Sequence, residues 1–178
     1  MEHDLREKRV AVLGAGKMGG ILLQALLNSG LLSAALTCAT VQHEERAKAL
    51  SAKLKVSVGT DNAAAVKGAD IILIAVKPQV VQEVMNEIRE QITPNQLIIS
   101  VAASVPTSLI ENTLRENIAV VRAMPNTPCS LGSGMTAVCK GKYADAGHVA
   151  MTCRMFDVVG RTVVLDEKHM DAVTGLSA

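Results

Sequence analysis

Three glycines near the N-terminus, Gly14, Gly16 and Gly19, stand in the spacing G-x-G-x-x-G directly after the apolar run Val10, Ala11, Val12 and Leu13. An apolar helical pattern begins at once behind them, at Ile21, Leu22, Ala25 and Leu26. A buried strand that turns on glycine into a helix is the context in which this spacing binds phosphate. Gly14 permits the tight turn, Gly16 lets a pyrophosphate approach the main chain, and Gly19 lets the helix pack closely on the strand. The unpaired N–H groups that open the helix then face the phosphate, and the helix dipole favours its negative charge. Gly14, Ala15, Gly16, Lys17, Met18 and Gly19 are therefore assigned to a bound dinucleotide. The plainer alternative is a glycine-rich turn that binds nothing.

The end of the next strand, expected over residues 36–41, selects between nicotinamide cofactors. Domains that prefer NAD usually carry an acidic residue there, bonded to the ribose hydroxyls. Here no Asp or Glu occurs between Glu7 and Glu44, and Thr40, Gln42, His43 and Arg46 are available instead. Thr40 can hydrogen-bond a 2′-phosphate, and Arg46 or His43 can supply positive charge. The pattern favours NADP(H), with NAD(H) possible. Against it, Glu44 and Glu45 dilute the positive charge, and Arg46 with Lys48 also reads as a solvated helix face.

The elements that must position these groups alternate along the chain. Residues 1–8 read as a loose polar start. Helices are expected at 17–28, 43–53, from a Thr60-Asp61-Asn62 cap to Gly68, at 79–91, 106–115 and 145–158. Strands are expected at 10–13, 36–41, 55–58, 71–76, 97–101, 118–122, 135–139 and 162–165. Strand–helix alternation of this kind makes an α/β, doubly wound, mostly parallel sheet of the Rossmann type. Its ligands lie beyond the carboxyl ends of the strands. The unusual segments fall at those ends: 14–19, 40–43, 75–78, 102–104 and 124–128.

The 178 residues suit one ordinary domain, here residues 1–165. Residues 166–178, with Asp166 as a helix cap and Met170, Val173, Thr174 and Leu176 behind it, read as the first turns of a second, helical domain left incomplete. Tyr143 and Phe156 are the only aromatic residues, so the core must be aliphatic. A net charge of +1 without a basic run, and so few aromatics, argue against nucleic acid as a partner. The run 71–76 is far too short to span a bilayer, and the charged start is unlike a signal peptide, so the chain is expected in the cytoplasm. Cys38, Cys129, Cys139 and Cys153 have no metal-site spacing, and His3, His43, His148 and His169 are scattered, so no metal is expected.

With these features in hand, the chain resembles the pyrroline-5-carboxylate reductase family of proline biosynthesis. The resemblance rests on G-A-G-K-M-G at residues 14–19, A-V-K-P at 75–78 and R-A-M-P-N-T-P at 122–128, with G-M-T at 134–136 and D-A-V-T-G-L-S at 171–177. It implies a domain that binds NADPH or NADH, with Ala75, Val76, Lys77 and Pro78 on the nicotinamide-ribose side and Asn62 as a further cofactor contact. Ala102, at the neighbouring strand end, is placed with them, and Met124, Pro125 and Asn126 with the substrate. The resemblance also implies a homo-oligomer built through a helical second domain that begins near the D-A-V-T segment. The implied reaction is hydride transfer from the nicotinamide to the C=N carbon of 1-pyrroline-5-carboxylate, giving L-proline. Lys77 is the one tempting general acid, and its simpler role is to anchor a ribose or the loop, so no catalytic residue is assigned. Two alternatives stay open: a Rossmann dehydrogenase of different substrate, including one using a deazaflavin-type cofactor, and a non-enzymatic NADP-binding module. A-V-K-P followed by M-P-N-T-P argues against the first.

Overall fold

A computed structural model describes residues 4–114 and 117–177. The apolar run after Arg9 forms β1 (Val10–Leu13), and the chain then alternates as α1 (Lys17–Asn28), β2 (Thr37–Thr40), α2 (Glu44–Leu54), β3 (Ser57–Gly59), α3 (Asn62–Val66) and β4 (Ile71–Ile74). It continues through α4 (Val81–Ile88), β5 (Leu97–Ser100), α5 (Thr107–Thr113) and β6 (Ala119–Pro125). The last elements are β7 (Gly134–Lys140), α6 (Ala146–Phe156), β8 (Gly160–Val164) and α7 (Met170–Ser177). The strands form one sheet in the order β3-β2-β1-β4-β5-β6-β7-β8. The first six are mutually parallel, β7 is antiparallel to β6, and β8 runs parallel to β7. The sheet order reverses between β1 and β4, which opens a crevice at their carboxyl ends.

Strand alternation divides the core into two layers. Val10, Val12, Ile71, Leu73, Leu97 and Ile99 face one side, with Leu22, Leu23 and Leu26 of α1 and Met155 and Phe156 of α6. Ala11, Leu13, Ile72, Ile74, Ile98, Ile118 and Val120 face the other, under α3, α4 and α5. A third, smaller cluster joins Met124, Ala137 and Cys139 to Met170 at the start of α7, with Ala103 and Val173 against it. Helices thus cover both faces, and the central strands β1, β4 and β5 are buried along their whole length. All four cysteines are unpaired. Burial, with Glu167 nearby, pushes the Cys139 thiol up to about 11, so it packs as an apolar group.

Several elements differ from the sequence expectation, each for a local reason. Residues 4–8 are not loose: Asp4 caps the 3-10 turn Leu5–Glu7 through the Arg6 N–H, and Leu5 is completely buried. The third strand starts at Ser57 rather than residue 55, because Lys55 takes the left-handed conformation that ends α2 (φ 56°). The helix expected over 79–91 is the 3-10 turn Pro78–Val80 followed by the shorter α4. The fourth strand stops at Ile74, two residues early, so residues 75 and 76 belong to the crevice. The sixth strand, expected to stop at Arg122, continues to Pro125, because β7 returns as its antiparallel partner and pairs Thr136 with Pro125. Pro125 sits on the last rung, where a missing N–H costs least. The expected fifth helix reaches Thr113, and Arg115 lies outside the described residues. Asp166 makes no side-chain cap; it pairs with Lys168, and the segment docks instead through fully buried Met170.

Phe156 is the largest fully buried side chain and anchors α6 on the sheet. Phe156→Ala is expected to lower stability by about 3–5 kcal/mol, read as a reduced urea midpoint with an unchanged slope.

Candidate functional site: the crevice at the end of β1

The glycine turn is built by close approach. Gly14 has φ +85°, and a Cβ there would lie 2.6 Å from Val76 Cγ1 and 2.8 Å from the Val76 nitrogen. A Cβ on Gly19 would collide with the Gly14 carbonyl oxygen and come 2.9 Å from Ala75 Cβ. Ala75 and Val76 therefore brace the turn from behind, and the Ala75 N–H donates to the Leu13 carbonyl at 2.8 Å. Gly16 is different. A Cβ there would meet only the Gly14 oxygen, at 3.9 Å, so its outward side is open.

The donors sort in the same way. The Gly14 N–H is shared between the main-chain oxygen and the hydroxyl of Thr40, 3.2 Å each, and the Ala15 N–H donates to the Thr40 carbonyl at 2.7 Å. The Gly16 N–H donates to the Gly14 carbonyl at 2.7 Å. The first turn of α1, residues 17–19, comes after an N-cap without a side-chain bond and contains no acidic residue. Its N–H groups are the ones placed to receive an anion.

Thr40 does not take the outward role expected of it. It is 3% exposed, and its hydroxyl donates to Asn62 Oδ1 at 2.7 Å while accepting from Gly14. The Asn62 amide in turn donates to Glu87 Oε2 at 2.9 Å. Thr40 and Asn62 thus fasten the glycine turn to α3 and α4. Neither Thr40's inward-facing hydroxyl nor Glu87 carries a local sequence signal for this chain of bonds.

Beside the turn, an open cleft of about 240 Å³ runs between α1 and α2, with Gly16, Lys17, Gln24, Arg46 and Lys53 among its walls. The wall residues include three cations and no carboxylate. Arg46 is thus brought next to the glycine turn as expected, whereas His43 is an exposed N-cap residue of α2 outside the cleft walls. Lys53 is an addition to the expected set; its ammonium donates to Gln24 at 3.3 Å.

Farther along the same sheet edge, Lys77 and Pro78 lie after β4, with Pro78 exposed, and Ala102 is buried after β5 with its N–H on Ser100 Oγ at 3.3 Å. Ser104 holds φ +57°, a conformation costing a residue with a Cβ roughly 1–3 kcal/mol. The expected substrate residues are less open than their sequence suggests. Met124 is 6% exposed beneath α7, Pro125 is buried, and Asn126 uses Oδ1 to accept the Met135 N–H at 2.9 Å. Arg122, in sequence only the first residue of a motif, is 3% exposed. Its guanidinium meets Asp171 Oδ1 at 3.1 Å and Glu167 Oε1 at 3.7 Å. An arginine in the apolar register of Ile118, Val120 and Met124 is the sequence signal that an acidic partner exists; the partners found are half-buried Glu167 and exposed Asp171. Among the described residues no group of three metal-ligating side chains comes together, and no helix is long and apolar enough to cross a membrane.

Thr40→Val keeps the shape of the side chain and removes the hydroxyl, leaving Asn62 Oδ1 without its donor. It should cost about 1–3 kcal/mol in denaturant unfolding, while Thr40→Ser stays near the parent.

Known proteins share the sequence pattern and the fold. A family model described as NADP oxidoreductase coenzyme F420-dependent matches residues 9–104. The pyrroline-5-carboxylate reductase of Methanosarcina acetivorans is 38% identical over 173 residues, covering 97% of this chain and 64% of that protein. The Pseudomonas aeruginosa enzyme is 36% identical over 174 residues, covering 95% and 62%. The structure of a pyrroline-5-carboxylate reductase from Coxiella burnetii superposes with a TM-score of 0.89 at 27% identity, covering 96% of this chain and 64% of that one. The Plasmodium falciparum pyrroline carboxylate reductase, solved with NADP bound, shares the fold with a TM-score of 0.85 at 23% identity, covering 97% of this chain and 63% of that one. The chain therefore spans a little under two thirds of these relatives' length. It belongs to the family described as NADP oxidoreductase coenzyme F420-dependent, and it is similar to the pyrroline-5-carboxylate reductases along nearly its whole length.

Proposed function

We propose that this chain is the cofactor-binding part of a pyrroline-5-carboxylate reductase, which reduces 1-pyrroline-5-carboxylate to L-proline with NAD(P)H. The observation that carries the reading is the open face at Gly16 beside acid-free first-turn donors and a cationic cleft. The names of the similar proteins supply the substrate. The residues present fit the cofactor. The first-turn N–H groups of α1 would hold the pyrophosphate, and Lys17 and Arg46 on the cleft wall would hold a 2′-phosphate. Val76, Lys77 and Pro78 would border the ribose of the nicotinamide, with Ala102 beyond them.

When bound, the cofactor supplies hydride to the C=N carbon. The chain's own contribution is to orient and to exclude water: Ala75 and Val76 fix the turn, and the β4 and β5 ends form a rigid wall. Among the described residues, no side chain in the crevice is placed as a proton donor by its contacts. NADP(H) is preferred on this reading, because no carboxylate directly ends β2 and Arg46 lines the cleft. Residues 1–165 act as the cofactor domain, and residues 166–178 lead into the helical substrate and dimer domain of the homologous enzymes. Four unpaired cysteines suit a reducing compartment, the cytoplasm.

The test is to mix the chain with NADPH and pyrroline-5-carboxylate and follow NADPH absorbance together with proline. NADPH binding is expected of this part, with loss of NADPH coupled to gain of proline wherever the substrate pocket is also complete; NADPH that neither binds nor is consumed would refute the reading. Two variants sharpen it. Gly16→Val should abolish NADPH binding while leaving the unfolding midpoint close to that of the parent, since the space it fills is empty of protein atoms. Arg46→Ala should weaken NADPH by roughly 10- to 100-fold, the worth of a charge-assisted bond, and leave NADH nearly unchanged in a fluorescence titration.

A further inference from the structure

The buried guanidinium of Arg122 lies outside the walls of the cofactor cleft, and it is ion-paired through both terminal nitrogens while its Nε has no hydrogen-bond partner among the described residues. It rises from the middle of β6 on the face covered by α5 and α7. There its two terminal nitrogens meet Glu167 at 3.7 Å and Asp171 at 3.1 Å, one from the turn before α7 and one from its first residues. Glu167 does more than neutralise it. One carboxylate oxygen accepts the Thr107 N–H at 2.7 Å and the other accepts the Thr107 hydroxyl at 2.8 Å. Thr107 is the first residue of α5, a short step beyond Ser104, which is held at φ +57°. A second attachment runs in parallel: Ala103 packs into the apolar cluster formed by Met170, Met124 and Cys139. The loop at the end of β5 and the start of α7 are thus joined twice, and the polar joint is built around one desolvated arginine.

We propose that Arg122 and Glu167 are positioning residues for hydride transfer. They lock the start of α7 to the 102–104 loop, and so hold the cofactor crevice wall beyond β5 in its working geometry. The inference rests on the reductase reading for its kinetic consequence, although not for its structural one. Glu167 and Asp171 both come from the segment that opens α7, so undocking that segment would strand the buried guanidinium, and the ion pairs thereby keep Glu167 in place against Thr107. A wall displaced by about an ångström costs roughly 10- to 100-fold in the chemical step with little change in ground-state binding.

The experiment compares the parent chain with Arg122→Met, Arg122→Lys, Glu167→Ala and Thr107→Val. Amide hydrogen exchange is followed by peptide, with NADPH affinity and steady-state constants for pyrroline-5-carboxylate alongside. Glu167→Ala and Thr107→Val remove a partner at a part-buried joint, so they keep the test sound if Arg122→Met does not fold. The expected result is exchange at least about tenfold faster in both 101–113 and 166–177, with 10–26 unchanged and NADPH affinity within about threefold. kcat falls by roughly 10- to 100-fold at nearly constant KM, and Arg122→Lys recovers part of it. Faster exchange confined to 166–177, or an unchanged kcat when both segments loosen, overturns the proposal. If the parent binds no NADPH, the reductase reading fails; if it binds NADPH without reducing pyrroline-5-carboxylate, the kinetic role falls, and in either case the exchange pattern alone decides whether the two segments are coupled.

Discussion

Everything at the crevice depends on how the end of β2 grips the turn that leaves β1. The carbonyl of Thr40 takes the Ala15 N–H, and its carbonyl and hydroxyl share the Gly14 N–H. Those bonds occupy the donors of the turn and leave the first turn of α1 to face outward. The hydroxyl can accept from Gly14 because its proton is directed to Asn62, and the Asn62 amide is directed by Glu87. The inner link, Thr40 to Asn62, is part-buried and costly to break, while the outer link from Asn62 to exposed Glu87 is open to solvent. The direction of the free N–H groups in the first turn of α1 is therefore fixed by the protein's own hydrogen bonds.

The sheet makes this possible by dividing its labour. Strands β1 and β4 are apolar on both faces, as is β5 up to its last residue, Ser100, and the polar groups gather at the strand ends. β6 is the exception, carrying a charged residue in its buried interior. That position is tolerable because the helical layer above it contributes two carboxylates. The antiparallel return of β7 lengthens β6 beyond its parallel neighbours and supplies the platform on which α7 lies. The added β7–β8 unit thus gives a nucleotide-binding sheet a docking place for α7.

Much of the fold is legible in the sequence, for identifiable reasons. Gly14 and Gly19 answer steric demands made by Val76 and by the Gly14 carbonyl with Ala75, while Gly16 keeps an open outward side; the three are still legible, because their spacing between a strand pattern and a helix pattern is itself the signal. The Val/Ile/Leu runs mark the central strands because they are buried on both faces. Thr40 is not legible in the same way, because the direction of a hydroxyl is set by its partner, here Asn62, 22 residues away. Met124 and Pro125 look like loop because a proline signals a break, and the pairing that overrides it comes from β7. Arg122 is visible as a charge in an apolar alternation, but its partner Asp171 lies 49 residues on, beyond any local pattern.

The most direct measurement is the fate of the transferred hydrogen. NADPH carrying deuterium at its reactive C4 position would be incubated with the chain and pyrroline-5-carboxylate, and the proline analysed by mass spectrometry and NMR. Direct hydride transfer to the imine carbon requires a single deuterium at Cδ of proline and at no other position. Proline formed without deuterium at Cδ, or a chain that binds no NADPH, would contradict the assignment of this crevice to the reduction of a C=N bond.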